Sequence, residues 1–334
     1  MQQTATPVPA SDLFVPATRE EREGIQTMRT PTTYWQDVRS RFAKNKVALV
    51  SAVFIVLVIL VAFIGPLLSP YQYDEQIKGS ELIAPFTNMA HPLGTDNLGR
   101  DEFVRLMFGA RISMAIGVVA SFMIVIIGVI YGAVSGYFGK WVDNLMMRIV
   151  EIISSIPSLL IIILLSVVLS APLRAYLNAH PNLSALRAIG PALLSIFITF
   201  ALLYWTDMAR MVRGQILTVK ETEYVNAAKA LGAGHWRIIT HHLIPNSMGV
   251  IIVTGTLNIP TAIFSEAYLS FLGLGVTPPM CSLGSLASDA LNGIYSYPYL
   301  LILPSVLISL IILAFNLVGD GLRDALDPRM KSKG

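Results

Sequence analysis

The chain has 334 residues, of which 54% are hydrophobic and 13% are charged. This composition excludes an ordinary soluble protein, because so few charged residues cannot cover so much apolar surface, and it predicts a polytopic membrane protein. The net charge of +3 does not indicate a nucleic-acid-binding protein, and the single cysteine, Cys281, excludes an intrachain disulfide.

The chain starts with a polar region, residues 1–46, that we expect to be cytoplasmic. Residues 1–33 contain several prolines, charges of both signs and little periodicity, which is typical of a mobile tail. They lack the basic start and apolar core of a cleavable signal peptide. Residues 34–46 are aromatic and basic, as expected of a segment at the inner membrane interface.

Six apolar segments are long enough to cross ~30 Å of hydrocarbon at ~1.5 Å per residue. They are residues 47–68, 112–138, 152–169, 189–212, 248–272 and 300–318. We therefore predict an all-α fold with six transmembrane helices. The predicted divisions are the first helix at 47–68, an external loop with short helices at 69–111, a five-helix core at 112–320 and a cytoplasmic tail at 321–334.

Basic residues predict the orientation of the six spans. Lys140, Arg148, the segment 210–237 and both chain ends fall on one side, whereas the loop at 274–299 has no lysine or arginine. By the positive-inside rule, the basic side and both termini are cytoplasmic. Three arginines run against this pattern, because they crowd the outer beginning of the second span: Arg100, Arg105 and Arg111.

Three glycines in the second span, Gly128, Gly132 and Gly136, are spaced for close packing against another helix. In the fifth span, Asn258 and Pro260 are candidate pathway-lining residues, although a simple proline kink is the alternative interpretation.

The longest polar interruption in the second half of the chain is residues 221–246. Helical spacing places four side chains on one face: Tyr224, Ala227, Ala228 and Leu231. Gly232 and Gly234 then predict a turn, and Pro245 predicts the end of a second short helix. Small alanines would let another protein approach the backbone closely, which suits a docking element. An amphipathic helix lying on the membrane surface is the alternative that the pattern leaves open.

Glu266 is an acidic residue inside the fifth span, with no basic residue within a helical turn. Because an unpaired charge in hydrocarbon is unfavourable, we expect it to face the bundle interior or a water-filled cavity. One hypothesis pairs it with Arg174, Arg187 or a helix N-terminus. The other lets it contact a cationic group on a passing solute.

No catalytic or metal-binding motif is present in the sequence. The phosphate-binding loop Gly-x-x-x-x-Gly-Lys-Ser/Thr, the zinc motif His-Glu-x-x-His and the nucleophile motif Gly-x-Ser-x-Gly are all missing. Three histidines in the polar stretch lack a nearby carboxylate or cysteine constellation, so we expect no metal site there: His235, His241 and His242. These observations predict a non-catalytic chain.

Four stretches together resemble the second permease subunit of the oligopeptide and dipeptide ABC importers. The polar stretch 221–246 is similar to the EAA loop of ABC-importer permeases. The other stretches are His-Pro-Leu-Gly-Thr-Asp at 91–96 with Gly-Arg-Asp at 99–101, Ser-Phe-Leu-Gly-Leu-Gly-Val at 270–276, and Gly-Asp-Gly-Leu-Arg-Asp-Ala-Leu-Asp-Pro-Arg at 319–329.

The resemblance implies a type I ABC-importer permease fold in a prokaryotic cytoplasmic membrane. The implied partners are a homologous second permease subunit, two cytoplasmic ATPase subunits, an external peptide-binding protein and the peptide itself. ATP and magnesium would be bound by the ATPases, so no cofactor is expected on this chain. In such a complex the EAA helix docks in a cleft of the ATPase and transmits closure of the ATP-bound dimer to the membrane helices.

The motif residues carry over by position. Ala227, Ala228 and Gly232 match the Ala-Ala and Gly of the EAA motif, and Pro245 matches its closing proline. The acidic position of the motif falls on Asn226, which argues against a salt bridge from that position but leaves the packing role intact. The remaining predicted coupling residues are Glu223, Tyr224 and Leu231.

Three alternatives stay open at this stage. The resemblance also allows the same scaffold to import nickel, glutathione or another small solute. A membrane-embedded enzyme acting on peptides or lipids would need the missing catalytic constellations. A self-contained channel or ion-driven transporter would place several ionisable groups at mid-membrane, and such a run is not present in the sequence.

Overall fold

The computed structural model describes residues 33–327, which are largely helical. The predicted tail at 1–32 and the basic residues after 327 lie outside the described residues. The helices are α1 (Tyr34–Lys44), α2 (Lys46–Leu68), α3 (Glu102–Phe138), α4 (Lys140–Ser154), α5 (Ser158–Ala179), α6 (Ser184–Ile189), α7 (Pro191–Leu203), α8 (Trp205–Val219), α9 (Glu223–Ala230), α10 (His235–Ile238), α11 (Ile244–Phe271), α12 (Leu283–Asp289) and α13 (Tyr299–Leu326).

Six helical segments within the described residues are long and apolar enough to span a membrane, which confirms the predicted fold class. Four of them are the single helices α2, α3, α5 and α13. The fourth span, Pro191–Val219, combines α7 and α8, and the fifth, His235–Phe271, combines α10, a π-helical turn and α11.

The second span begins ten residues earlier than predicted. Asp101 caps α3 by accepting a hydrogen bond from the backbone N–H of Val104 at 2.9 Å, so the helix starts at Glu102 and not at residue 112. The charged residues that suggested a loop are built into the first turns of the helix. Residues 69–101 form turns and isolated β-bridges in place of the predicted short helices.

The third and sixth spans are also longer than predicted. The third begins at Ser158, directly after Pro157, and continues to Ala179, whereas residues 152–154 belong to α4. The sixth extends to Leu326 and carries the charged residues near its end as a helical extension. In both cases helix propensity and tertiary packing continued the helix beyond its apolar window.

The helix boundary predicted before Pro245 is wrong. A π-helical turn at Ile239–Leu243 leads directly into α11, and Pro245 lies in the first turn of that helix. Proline has no N–H to donate, and the wider π-helical turn just before it lets the chain remain helical. The second half of the polar stretch is therefore continuous with the fifth span.

Helix α3 lies at the centre of the bundle and packs along α8, α11 and α2. Its three spaced glycines all face α8: Gly128, Gly132 and Gly136. A Cβ atom built on Gly128 would lie 2.5 Å from the Cβ of Met208, and one on Gly132 would collide with the carbonyl oxygen of Ala209. The backbones of α3 and α8 can approach so closely only because these positions carry no side chain.

The arginines at the outer beginning of the second span have internal partners. Arg100 pairs with Asp96 at 2.7 Å, and Arg105 is almost fully buried between Asp96 at 3.4 Å and Asp289 at 3.3 Å. These arginines are therefore part of an ion-pair network within the chain and not free surface charges.

Arg111 instead bonds to a backbone carbonyl that Pro66 leaves without a helical donor. Because Pro66 has no N–H, the carbonyl of Ala62 four residues earlier lacks a helical donor. Arg111 donates to this oxygen from Nη2 at 2.8 Å and from Nε at 3.2 Å. Its guanidinium also lies 4.6 Å from the ring centroid of Phe63. Arg111 thus joins α3 to α2 at the proline.

This arrangement predicts that Arg111 and Pro66 are energetically coupled. Arg111→Ala should lower the unfolding free energy of the detergent-solubilised protein by about 1–3 kcal/mol, because the buried Ala62 carbonyl loses its donor. The double variant Arg111→Ala with Pro66→Ala should recover most of the loss, since the new N–H restores the helical bond. Thermal unfolding of the four variants measures this coupling. If Arg111→Ala lowers the unfolding free energy equally in the wild-type and Pro66→Ala backgrounds, the coupling is contradicted.

Candidate functional site

The candidate functional site is the docking loop, which we define as residues 221–246. Its first helix, α9, has Glu223 in the first turn and Lys229 in the last, and both charges suit the helix dipole. Gly232 follows with φ +80°, a left-handed conformation that glycine adopts without steric penalty. The backbone N–H of Ala233 then bonds to the carbonyl of Ala228 at 3.0 Å, which closes the helix end.

One buried side chain anchors α9 to the bundle. Val225 is fully buried and belongs to the same apolar cluster as Ile238, Ile239 and Leu243 of the following segment. That cluster also contains residues of α3 and α8, including Val129 and Val212. The docking loop is therefore fixed to the helices that form the core of the bundle.

The face predicted from helical spacing points away from this anchor, and we call it the crest: Tyr224, Ala227, Ala228 and Leu231. Tyr224 and Ala227 are exposed, Ala228 is half-buried, and the side chain of Leu231 is 88% exposed. Trp236, just beyond the turn, is also exposed. The crest is thus an exposed, largely apolar surface with two small alanines between larger side chains, which is a suitable surface for a protein partner.

Polar contacts hold the docking loop at the end of α3. The hydroxyl of Tyr137 lies 2.8 Å from Nδ1 of His235. Nζ of Lys220, the residue just before the loop, donates to the carbonyl of Gly136 at 2.9 Å. Residues 69–101 adjoin the opposite end of α3, so the docking loop and the 69–101 loop lie at opposite ends of the bundle.

An ion pair connects α4 to α8 near the docking loop. Arg213 donates from Nη2 to Oδ2 of Asp143 at 2.6 Å, and Ser135 donates to Oδ1 at 2.6 Å. The hydrogen bond from Arg213 holds the pKa of Asp143 below its ordinary value. Asp143 therefore stays ionised at neutral pH, and the pair fixes α4 beside the loop.

Asn226 makes only weak local contacts. Its Nδ2 donates to the carbonyl of Glu221 at 3.4 Å, and its Oδ1 accepts from Nζ of Lys229 at 3.3 Å. The described residues contain no group of three or more potential metal ligands, and the three histidines of the loop are not brought together into one. His235 instead contacts Tyr137, and His241 contacts Thr240.

Glu266 lies far from the docking loop, near the other end of α11. Its side chain is fully buried and faces the bundle interior, as expected of an acidic residue in an apolar helix. Among the described residues, its carboxylate oxygens accept hydrogen bonds from Ser113 and Ser270, and not from Arg174, Arg187 or the N–H groups of a helix N-terminus as hypothesised. One hydroxyl comes from α3, far along the chain, and the other from the next turn of α11. Neither carries a charge that a sequence pattern would reveal.

The other two candidate pathway residues also lie within α11. Pro260 is buried inside a helix that continues through it. Asn258 has a buried Nδ2 with no hydrogen-bond partner among the described residues. Their role in a pathway stays a prediction.

A cleft that the sequence did not indicate opens near the docking loop. Its volume is about 410 Å³, and residues of α1, α8, α11 and α13, some of them polar, line it. They include Gln215, Asn246 and Thr254. The only sequence signal would have been these isolated polar residues on otherwise apolar helices.

Comparisons with known proteins match nearly the whole chain. A family model described as "Binding-protein-dependent transport system inner membrane component" matches residues 124–332, and one described as "N-terminal TM domain of oligopeptide transport permease C" matches residues 33–91.

Three relatives illustrate the similarity. The chain is 42% identical to the oligopeptide transport system permease protein OppC of Bacillus subtilis, with 96% of this chain and 98% of the relative covered. It is also 42% identical to the dipeptide transport system permease protein DppC of the same organism, with coverages of 95% and 93%. Identity to the glutathione transport system permease protein GsiD of Pectobacterium atrosepticum is 34%, with coverages of 92% and 94%.

Proposed function

Because this chain belongs to the family of binding-protein-dependent transport system inner membrane components, we propose that it is a permease subunit of an ATP-driven peptide importer. It forms half of a gated pathway for oligopeptides or dipeptides across a prokaryotic cytoplasmic membrane. Its similarity to relatives named as oligopeptide and dipeptide permeases supports a peptide as the substrate, since identity to the glutathione permease is lower.

The observation that carries the proposal is the crest of α9. Small and apolar side chains are exposed there, while Val225 fixes the same helix to the bundle core. Such a surface binds a partner and passes the partner's movement to the helices behind it. The partners that this role requires are two ATPase subunits, which bind ATP and magnesium. A homologous permease and an external binding protein complete the complex.

The orientation belongs to the same proposal. Docking to cytoplasmic ATPases requires residues 221–246 and both termini to be cytoplasmic. The basic residues on the docking-loop side of the spans support this orientation through the positive-inside rule. The loop at 69–101 and the segment at 272–298 then lie outside, where a binding protein delivers peptide.

Reconstitution of the complete complex tests the function. The chain is purified with its second permease, ATPase and binding-protein partners, and the complex is placed in proteoliposomes. Uptake of a labelled tripeptide should require ATP, and excess unlabelled peptide should abolish it. The peptide should be recovered intact.

Three outcomes would overturn the proposal in different ways. ATP-independent uptake would indicate a channel or ion-driven transporter. Cleaved peptide would indicate a membrane enzyme. Uptake of glutathione or nickel that excess peptide does not reduce would assign a different substrate. Proteoliposomes that lack this chain serve as the background.

A further inference from the structure

One helical rod connects the docking loop to the opposite end of the bundle. Residues His235–Phe271 form 37 consecutive helical residues through α10, the π-helical turn and α11. At ~1.5 Å per residue this rod is about 55 Å long. Its first turns contain Ile238 and Ile239, which pack in the same cluster as Val225 of the docking loop. Its last turns contain Glu266 and Ser270.

Glu266 is bonded to two different elements at the far end of the rod. Ser113 of α3 donates its hydroxyl proton to Oε2 at 2.8 Å, and Ser270 of the rod itself donates to Oε1 at 2.6 Å. All three side chains are buried. Each carboxylate oxygen therefore fixes the direction of one hydroxyl group.

Both hydroxyl groups hold the segment that follows the rod, residues 272–283. The backbone N–H of Val276 donates to Oγ of Ser270 at 3.1 Å, and that of Leu283 donates to Oγ of Ser113 at 3.3 Å. Each hydroxyl has one proton and two acceptor lone pairs, so it donates to Glu266 while it accepts from one of these N–H groups. The carboxylate thereby orients the two hydroxyls that hold Val276 and Leu283.

The segment and Gly284, which follows it in α12, also pack tightly on the end of the rod. A Cβ atom built on Gly284 would collide with the carbonyl oxygen of Ala267, and one on Gly275 would lie 2.5 Å from Cα of Ser270. Such contacts leave little room for the segment to slide over the rod. Any movement of the rod end is passed to residues 272–284 through close packing and oriented hydrogen bonds.

We propose that Glu266 is a positioning residue that fastens the rod to the 272–283 segment, so that movement imposed on the docking loop reaches the outer face. This inference rests on the proposed function, because it needs an ATPase at one end of the rod and peptide delivery at the other. It replaces the hypothesis that Glu266 contacts a cationic group of the peptide, since both carboxylate oxygens are already occupied by buried hydroxyls.

The test measures how many ATP molecules are hydrolysed for each peptide imported by the reconstituted complex. Glu266→Gln converts one of the two acceptor oxygens into an NH₂ donor, so one hydroxyl loses its acceptor. We expect peptide uptake to fall about tenfold while ATPase association and hydrolysis change less than about twofold. The ratio of ATP to peptide should therefore rise.

Ser265→Ala is the matched control. Ser265 is adjacent on the same helix and equally buried, but its hydroxyl bonds to Tyr204 at 2.7 Å and not to the 272–283 segment. The ratio of ATP hydrolysed to peptide imported should stay at the wild-type value in Ser265→Ala. Ser113→Ala removes the hydroxyl that joins Glu266 to Leu283, so it should raise the ratio of ATP to peptide although Glu266 itself is unchanged. In the Glu266→Gln background it should add little, because the two changes act on the same connection.

The outcomes separate this inference from the proposed function. If the wild-type complex imports no peptide, the proposed function fails. If the wild type imports peptide and Glu266→Gln has a normal ratio, only the present inference fails. A parallel loss of hydrolysis and uptake in both Glu266→Gln and Ser113→Ala would also overturn it, since that result indicates a purely structural role.

Discussion

Gly132→Leu is expected to prevent the assembly of a folded permease. A Cβ atom at this position would collide with the carbonyl oxygen of Ala209 and would lie 3.0 Å from the backbone nitrogen of Arg213. Both obstacles are backbone atoms of α8, which cannot rotate away as a side chain can. Overpacking typically costs about 1–3 kcal/mol, and a collision between two helix backbones belongs at or above the top of that range.

The matched control is Gly214→Leu on the facing helix. Gly214 also lies inside a helix, but nothing lies within 4 Å of a Cβ atom built there. Leucine is a better helix former than glycine, so this change should leave stability unchanged or slightly raised. The two variants are compared by yield of monodisperse protein and by thermal unfolding in detergent. A similar yield and thermal stability for Gly132→Leu and Gly214→Leu would show that the glycines of α3 do not determine its packing on α8.

Ala227→Trp is expected to abolish association with the ATPase subunits while the permease remains folded. Ala227 is exposed at the centre of the crest, on the opposite side of α9 from the buried Val225. A large side chain there prevents the close approach that small residues allow, but it disturbs no packing inside this chain. Co-purification of the ATPases and their stimulated turnover should both be lost.

Ala175→Trp provides the same substitution at an exposed helical alanine near the end of α5, away from the docking loop. It should leave ATPase association intact. Normal turnover in Ala227→Trp would remove the docking role from the crest.

Gly232→Ala tests the backbone conformation of the turn. The φ angle of Gly232 is +80°, although nothing lies within 4 Å of a Cβ atom built there. An alanine in this left-handed conformation is strained by about 1–2 kcal/mol, which should weaken ATPase association roughly tenfold. Gly234→Ala is the control, because φ is −67° there and association should not change.

The membrane spans could be predicted from sequence because long apolar segments have few other stable arrangements. The errors arose where polar residues are satisfied by partners far along the chain. Glu102 and Arg105 look like loop residues, yet Asp101 caps the helix before them and Asp289 pairs with Arg105 from 184 residues away. Pro245 looks like a helix end, yet the preceding π-helical turn accommodates it.

The candidate site could be predicted only in part, for a similar reason. Helical spacing identified the crest, but a single apolar residue such as Val225 produces no pattern, so the anchor was missed. Glu266 was correctly predicted to face inward, because an acidic side chain in an apolar helix has no other favourable orientation. Its partner Ser113 is 153 residues away, and a serine in an apolar helix gives no signal of that contact.

Cross-linking offers the most direct test of the claim that the docking loop contacts an ATPase. The native thiol provides a clean background, because burial raises the pKa of Cys281 to about 12 and it reacts little at neutral pH. Single cysteines are introduced at Ala227 in the crest and at Tyr295, which is fully exposed at the opposite end of the bundle. A thiol-reactive cross-linker is then added to the active complex in membranes.

We predict that Ala227→Cys gives a covalent product with an ATPase subunit and that Tyr295→Cys gives none. An ATPase product from Tyr295→Cys, or its absence from Ala227→Cys in a complex that still hydrolyses ATP, would contradict the account.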